Sequence, residues 1–337
     1  MTSDAYLGKR APASRPRATG ARRALPLIAF IARHRVLSAL VALAILPWLT
    51  PYQALAVNIL IFGLYAMGFN LIFGYAGMLS FGHAALFGLG AYGCGIPIAK
   101  FGVPWFLAIP CGIAVAGVAS VIIGWFAIRS RGIYFAMITL ALSQVVYYSA
   151  YQWTSMTGGE DGLRGVTVPR ISLFGLELNM LNPTVKYYVL FAMAAVAIWL
   201  FSRILASPFG ATLEAIRENE KRALACGYDV ARTRWLAFIL SGLFSGFAGT
   251  LYAIHLSVVP IETLHYFNSA TILMMTLLGG MGTFFGGFVG AFVYIMLQDV
   301  VTVITVHWQL VVGTLFVVLI LFFPRGIWGS LLNWVKP

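Results

Sequence analysis

GYAGMLSFGH, residues 74–83, sets three glycines, a serine and a histidine between two apolar runs of membrane-spanning length. Backbone groups freed in lipid have to be satisfied internally, so non-helical chain survives at membrane depth only where it is buried in protein or lines a wet cavity. Gly74, Gly77 and Gly82 therefore point to a pathway rather than a plain anchor, with Ser80, Phe81 and His83 beside it.

The surrounding chain has the composition this reading needs. Of 337 residues, 61% are hydrophobic and 9% charged, against roughly 45–50% and about 25% in soluble domains. Apolar runs near the roughly 20 residues that cross a bilayer as a helix recur at 35–50, 53–73, 83–99, 104–128, 132–152, 185–205, 234–256, 268–281, 287–306 and 309–323. The expected fold is all-α, a polytopic membrane bundle of about ten helices.

A net charge of +12 raises nucleic acid as a partner, but the bases sit in a few interhelical segments, which is how membrane proteins set orientation. With the N-terminus in the cytoplasm, eighteen of the 22 Lys and Arg fall inside, in 1–35, at Arg129 and Arg131, in 203–234, and at Arg325 and Lys336. Lys100, Arg164, Arg170 and Lys186 fall outside. Both termini are then cytoplasmic, and the partner is the lipid bilayer rather than nucleic acid.

Residues 1–34 form a basic arm, expected to be disordered and drawn to anionic headgroups; the rest, 35–337, is one transmembrane domain. A cleaved signal peptide, with 36–46 as its apolar region, is the alternative, against which the basic lead-in is far longer than usual. Cys94, Cys111 and Cys226 share no metal or disulfide spacing and read as free thiols.

Two connecting segments are long and polar, 153–184 outside and 203–234 inside. The outer one carries TGGEDGL (157–163), a tight turn at the membrane rim or a docking lip. In the inner one Ser207 can cap a helix that has Pro208 at its first position. Leu213 and Ile216 face one side of that helix, while Glu214, Arg217 and Glu218 carry the polar faces. Asn219 can cap a second short helix ended by Gly227, and Asp229 the following span. Acids nearly balance bases here, whereas membrane-surface helices lean towards Lys and Arg, so a protein partner fits better than lipid.

A second glycine-dense stretch, LLGGMGTFFGGFVGA (277–291), loosely repeats the first and divides the chain into two half-repeats, with Gly279, Gly280 and Gly282 as its pathway candidates. Paired glycine interruptions in two halves point to a transport site. If helix continues there, Gly282, Gly286 and Gly290 form a small-residue stripe, as Gly242 and Gly246 do in the seventh span.

The Walker A pattern is missing, and Gly88, Gly90 and Gly93 match a dinucleotide fingerprint only inside an apolar span with no preceding strand. His83, His255, His265 and His307 lack metal-site spacing and read as packed histidines, apart from His83, whose polarity can face the cavity. Asp299 and His255 are the main ionisable residues inside spans and lie near outer ends. No acid relay for proton coupling is evident, so energy for uphill transport is expected from another subunit. No enzymatic chemistry, cofactor or metal is expected of this chain.

From 52 to 329 the sequence resembles the permease subunits of branched-chain amino-acid ABC importers, the LivH/LivM permease family, and the LivM type in particular. The likeness is carried by GYAGMLSFGH, RGIYFAMITLA (131–141), TGGEDGL, SPFGATLEAIRENEKRALACGYD (207–229), LAFILSGLFSGFAGTLYA (236–253), LLGGMGTFFGG and LFFPRGIWG (321–329). It implies an architecture similar to the cobalamin-type (type II) importers and a location in the bacterial inner membrane. It implies as partners a second permease, two cytoplasmic ATPase subunits that bind the ATP, and a periplasmic binding protein. Residues 207–227 then resemble the segment that couples to the ATPase, with Glu214, Ala215, Ile216, Arg217, Glu218, Asn219 and Gly227 as its candidates. The cargo expected is a branched-chain or other hydrophobic amino acid; permeases for urea and short amides share the same motifs. A standalone secondary carrier or channel, and a scaffold without transport, are the alternatives from other classes.

Overall fold

The computed structural model describes residues 35–168, 170–173, 176–323 and 326–335. The basic arm 1–34, and Arg325 and Lys336 of the charge pattern, lie outside the described residues. The helices are α1 (Arg35–Leu49), α2 (Gln53–Asn70), α3 (His83–Phe101), α4 (Trp105–Ala127), α5 (Ile133–Gln152), α6 (Pro183–Ala206), α7 (Pro208–Glu218), α8 (Glu220–Ala225), α9 (Val230–Leu256), α10 (Tyr266–Gly279), α11 (Gly286–Ile304), α12 (Trp308–Phe322) and α13 (Gly326–Val335). All ten apolar runs fold as helices. Among the described residues eight stretches are long and apolar enough to cross a bilayer, the last of them, Trp308–Leu331, counted across α12 and α13 together. The first and eighth runs, α1 and α10, have only 15 and 14 residues, short of the roughly 20 a perpendicular crossing needs.

Boundaries follow local chemistry. Asn182 accepts a hydrogen bond from the Thr184 amide with Pro183 at the first position of α6, and Asp229 caps α9 by accepting from the Arg232 amide at 2.9 Å. Ser207 occupies the cap position of α7, but its hydroxyl donates to the Ile204 carbonyl at 2.6 Å and leaves the helix start uncapped by a side chain.

Helix α2 is the central pillar: with its π-helical extension Leu71–Tyr75 it forms a 23-residue span, 89% buried over its apolar window. Around it pack α6, α9, α10 and α11, while α3, α4 and α9 form a second close group. Small residues allow that approach. A Cβ on Gly90 would overlap the Gly246 backbone, and one on Gly246 would overlap the Ala116 side chain. Gly246→Val is therefore expected to destabilise the bundle by about 1–3 kcal/mol through overpacking, read as a lowered thermal midpoint in detergent. Gly313→Val, where an added Cβ meets nothing within 4 Å, should leave that midpoint unchanged.

At one end of the bundle β1 (Leu163–Arg164) pairs with β4 (Val258–Val259), and β2 (Arg170–Leu173) forms a hairpin with β3 (Leu176–Asn179). TGGEDGL makes the tight turn its glycines foretell, with Gly158, Gly159 and Gly162 all at positive φ. At the other end lie the connections 76–82, 207–229 and 280–285, so both glycine-rich stretches and the two short helices share one side.

Candidate gate and coupling site

The first glycine stretch joins two complete spans; it does not interrupt one in mid-membrane. Approaching it, α2 widens into a π-turn in which the Ala76 amide donates to the Leu71 carbonyl at 3.2 Å, a distortion common at functional positions. Gly74 has to lack a side chain, because a Cβ there would overlap Asn70 and the Gly282 amide.

Those neighbours reveal the junction. Asn70, buried at 1% exposure, donates through Nδ2 to the Thr283 carbonyl at 2.9 Å, and its Oδ1 accepts from the Gly282 amide at 2.9 Å. One side chain thus clamps the end of α2 to the turn between α10 and α11. The guanidinium of Arg217 on α7 donates to the Gly74 carbonyl. Its stem lies over Gly77 and its head over Gly282, 3.2 Å and 2.7 Å from where Cβ atoms would stand. Both glycines have positive φ, 71° and 73°, which other residues rarely adopt. The two stretches and the short helix therefore meet at one place.

From Ala76 the chain turns inward towards α3. The Phe81 amide donates to Thr139 Oγ1 at 3.1 Å, and the Phe81 carbonyl accepts from Ser269 Oγ at 2.8 Å. Freed backbone groups are thus satisfied by side chains of α5 and α10, as burial in lipid-facing protein demands. Ser80 and His83 are fully buried, Gly82 is buried against Thr139, Phe81 is half-buried and Gly77 is exposed.

His83 does not face open space as its polarity led us to expect. Its Nδ1 lies 3.0 Å from Ser80 Oγ and its Nε2 2.8 Å from Ser241 Oγ. Ser241 spends its own proton on the Gly68 carbonyl, at 2.6 Å. The ring must then donate from Nε2 to Ser241, while Nδ1 pairs with Ser80. This histidine ties α3 to α9 and α2.

The stripe expected through Gly282, Gly286 and Gly290 is broken, because Gly280 and Gly282 turn the chain at positive φ before α11 starts at Gly286. Gly279, Gly286 and Gly290 instead form the close contact between α10 and α11.

On α7, Leu213 and Ile216 are buried while Glu214, Ala215 and Glu218 are exposed. Asn219 caps α8 by accepting from the Arg222 amide at 3.0 Å, and the exposed Gly227 takes the left-handed turn at φ 84°. Glu220 bridges Arg131 at 3.0 Å and Arg234 at 2.9 Å, joining α8 to the start of α5 and to α9.

Asn70, Thr139, Ser241 and Ser269 escaped the sequence reading. Asn70 alone carried a signal, an amide inside an otherwise apolar span. Among the described residues no three His, Cys, Asp or Glu side chains converge as a metal site. Cys94 is buried, Cys111 and Cys226 are exposed, and all three are free.

Comparison with known proteins places this architecture. The chain is similar to the high-affinity branched-chain amino acid transport system permease protein LivM of Escherichia coli (strain K12), 27% identical over 315 residues that cover 86% of this chain and 74% of that protein. Its likeness to the protein of the same name from Salmonella typhimurium is 26% over 294 residues, covering 81% and 69%. A shorter match, 36% over 99 residues and 28% of each chain, is to the autoinducer 2 import system permease protein LsrC of Klebsiella pneumoniae. No solved structure matches. The family model described as branched-chain amino acid transport system / permease component matches residues 52–322, and the chain belongs to that family of membrane permeases.

Proposed function

We propose that this chain is one permease subunit of an ATP-driven importer, forming half of the translocation pathway for branched-chain or other hydrophobic amino acids. It works with a second permease, two cytoplasmic ATPase subunits and a periplasmic binding protein, in the bacterial inner membrane with both termini cytoplasmic. The observation that carries this reading is the reach of Arg217 from the short helix α7 to the Gly74 carbonyl, where the two glycine-rich turns meet.

In this scheme α7 and α8 take up motion from the ATPases through the exposed Glu214, Ala215 and Glu218. The buried Leu213 holds α7 to the bundle, and Ile216 packs with Ala223 and Val230 to hold α7, α8 and α9 together. Displacement of α7 draws Arg217, and with it the turn 74–77, away from the turn 280–283. The inner gate is this junction, with Gly279, Gly280 and Gly282 on one side and Gly74, Gly77, Ser80, Phe81, Gly82 and His83 on the other.

Uptake into vesicles holding the whole assembly tests the reading. Labelled leucine is expected to accumulate only when ATP and the binding protein are both present. Accumulation of urea or a short amide in place of leucine would change the cargo. Gradient-driven transport by the chain alone would replace the importer by a carrier. The partial match to an autoinducer 2 import system permease is the observation that favours a cargo other than an amino acid.

A further inference from the structure

Three hollows on the bundle are walled almost wholly by apolar side chains, as suits surfaces that meet lipid tails. A fourth, of about 330 Å³, differs in chemistry and position. It opens at the end of the bundle remote from α7 and α8, between α2, α9, α10 and α11 and beneath the start of α12. Its wall combines the carboxylate of Glu262, the amides of Asn268 and Gln298, and the apolar faces of Phe62, Met275 and Trp308.

Glu262 is exposed, and among the described residues its carboxylate makes no ion pair and no hydrogen bond. Asn268 uses one amide proton on the Thr263 carbonyl at 3.3 Å, which leaves the other free. The side-chain amide of Gln298 has no partner among the described residues, and it projects from the last two turns of a membrane-spanning helix. Polar side chains placed so within spans face a water-filled cavity or the bundle interior rather than lipid. The volume sits at the small end of the roughly 300–1,000 Å³ typical of small-molecule sites, which suits a solute of amino-acid size.

We infer that this hollow is an outer contact site for a zwitterionic α-amino acid with an apolar side chain. Glu262 takes the ammonium group, the amides of Asn268 and Gln298 donate to the carboxylate, and Phe62, Met275 and Trp308 hold the side chain. The inference rests on the importer reading above and adds a place where the solute is held before the inner junction opens. The same two helices that wall the hollow, α10 and α11, carry the turn 280–285 at their other ends, so occupancy and gate share two rigid elements.

The test is concentration-dependent leucine uptake by the reconstituted assembly, with docking of the binding protein and ATP hydrolysis measured alongside. Glu262→Gln is expected to raise the half-saturating concentration of loaded binding protein, or lower uptake below saturation, by about 10-fold. Gln298→Leu should do so by about 3- to 10-fold. Docking and ATP hydrolysis should stay at the unsubstituted level in both. Uptake within 2-fold of the unsubstituted assembly in both variants overturns the site, as does a loss matched by an equal loss of docking. No leucine uptake by the unsubstituted assembly overturns the importer reading for amino acids and this proposal with it.

Discussion

Asn70→Leu is expected to release the two glycine-rich turns from each other and to make the assembly leak. Leucine nearly preserves the volume of asparagine, so packing changes little. What is lost is the pair of 2.9 Å hydrogen bonds that join α2 to the Gly282 amide and the Thr283 carbonyl. Leaving a buried polar group without its partner costs about 1–3 kcal/mol each. With two groups affected and both half-buried, a total near the lower half of about 2–6 kcal/mol is expected. Each 1.4 kcal/mol is a factor of ten in an equilibrium, so the closed junction should weaken by at least one order of magnitude. Solute efflux from loaded vesicles without ATP should rise, and ATP-driven accumulation should collapse. Tight vesicles with normal accumulation would remove Asn70 from the gate.

Arg217→Ala is the second large effect, and its signature is different. The guanidinium makes a charge-assisted hydrogen bond to the Gly74 carbonyl, of a kind worth about 1.5–3 kcal/mol. Its loss should reduce uptake by about 10- to 100-fold while ATP hydrolysis by the partner subunits continues, because α7 keeps its buried Leu213 and Ile216. Arg217→Lys restores the charge without the planar fork and should recover only part of the uptake. Parallel loss of hydrolysis and uptake would place Arg217 at the ATPase interface; full retention of both would sever the link between α7 and the junction.

The helices were legible because their signal is crude and cumulative: runs of apolar residues with few charges announce a span whatever they pack against. The short inner helices were legible for a sharper reason. Asn219, Asp229 and Gly227 act on backbone groups within three residues of themselves, so sequence spacing is also spatial spacing. Ser207 shows the limit even there, since its hydroxyl found an equally near carbonyl behind it.

Long-range placement was not legible. Asn70 and Thr283 lie 213 residues apart, and nothing local marks them as partners. The direction of Arg217 was hidden likewise, because Gly74 lies 143 residues earlier and only the fold puts it within reach. The glycine stripe failed because spacing by four has meaning only in continuous helix, and the positive φ of Gly280 and Gly282 breaks it. His83 looked available to a cavity because its two serine partners come from its own turn and from a span 158 residues later.

Helix α2 ends enclosed by partners that are translated long after it. When it leaves the ribosome, α6, α9, α10 and α11 do not yet exist, and the turn 282–283 on which the Asn70 amide is later spent is more than 200 residues away. The enclosure of this pillar is therefore complete only once α11 has been made.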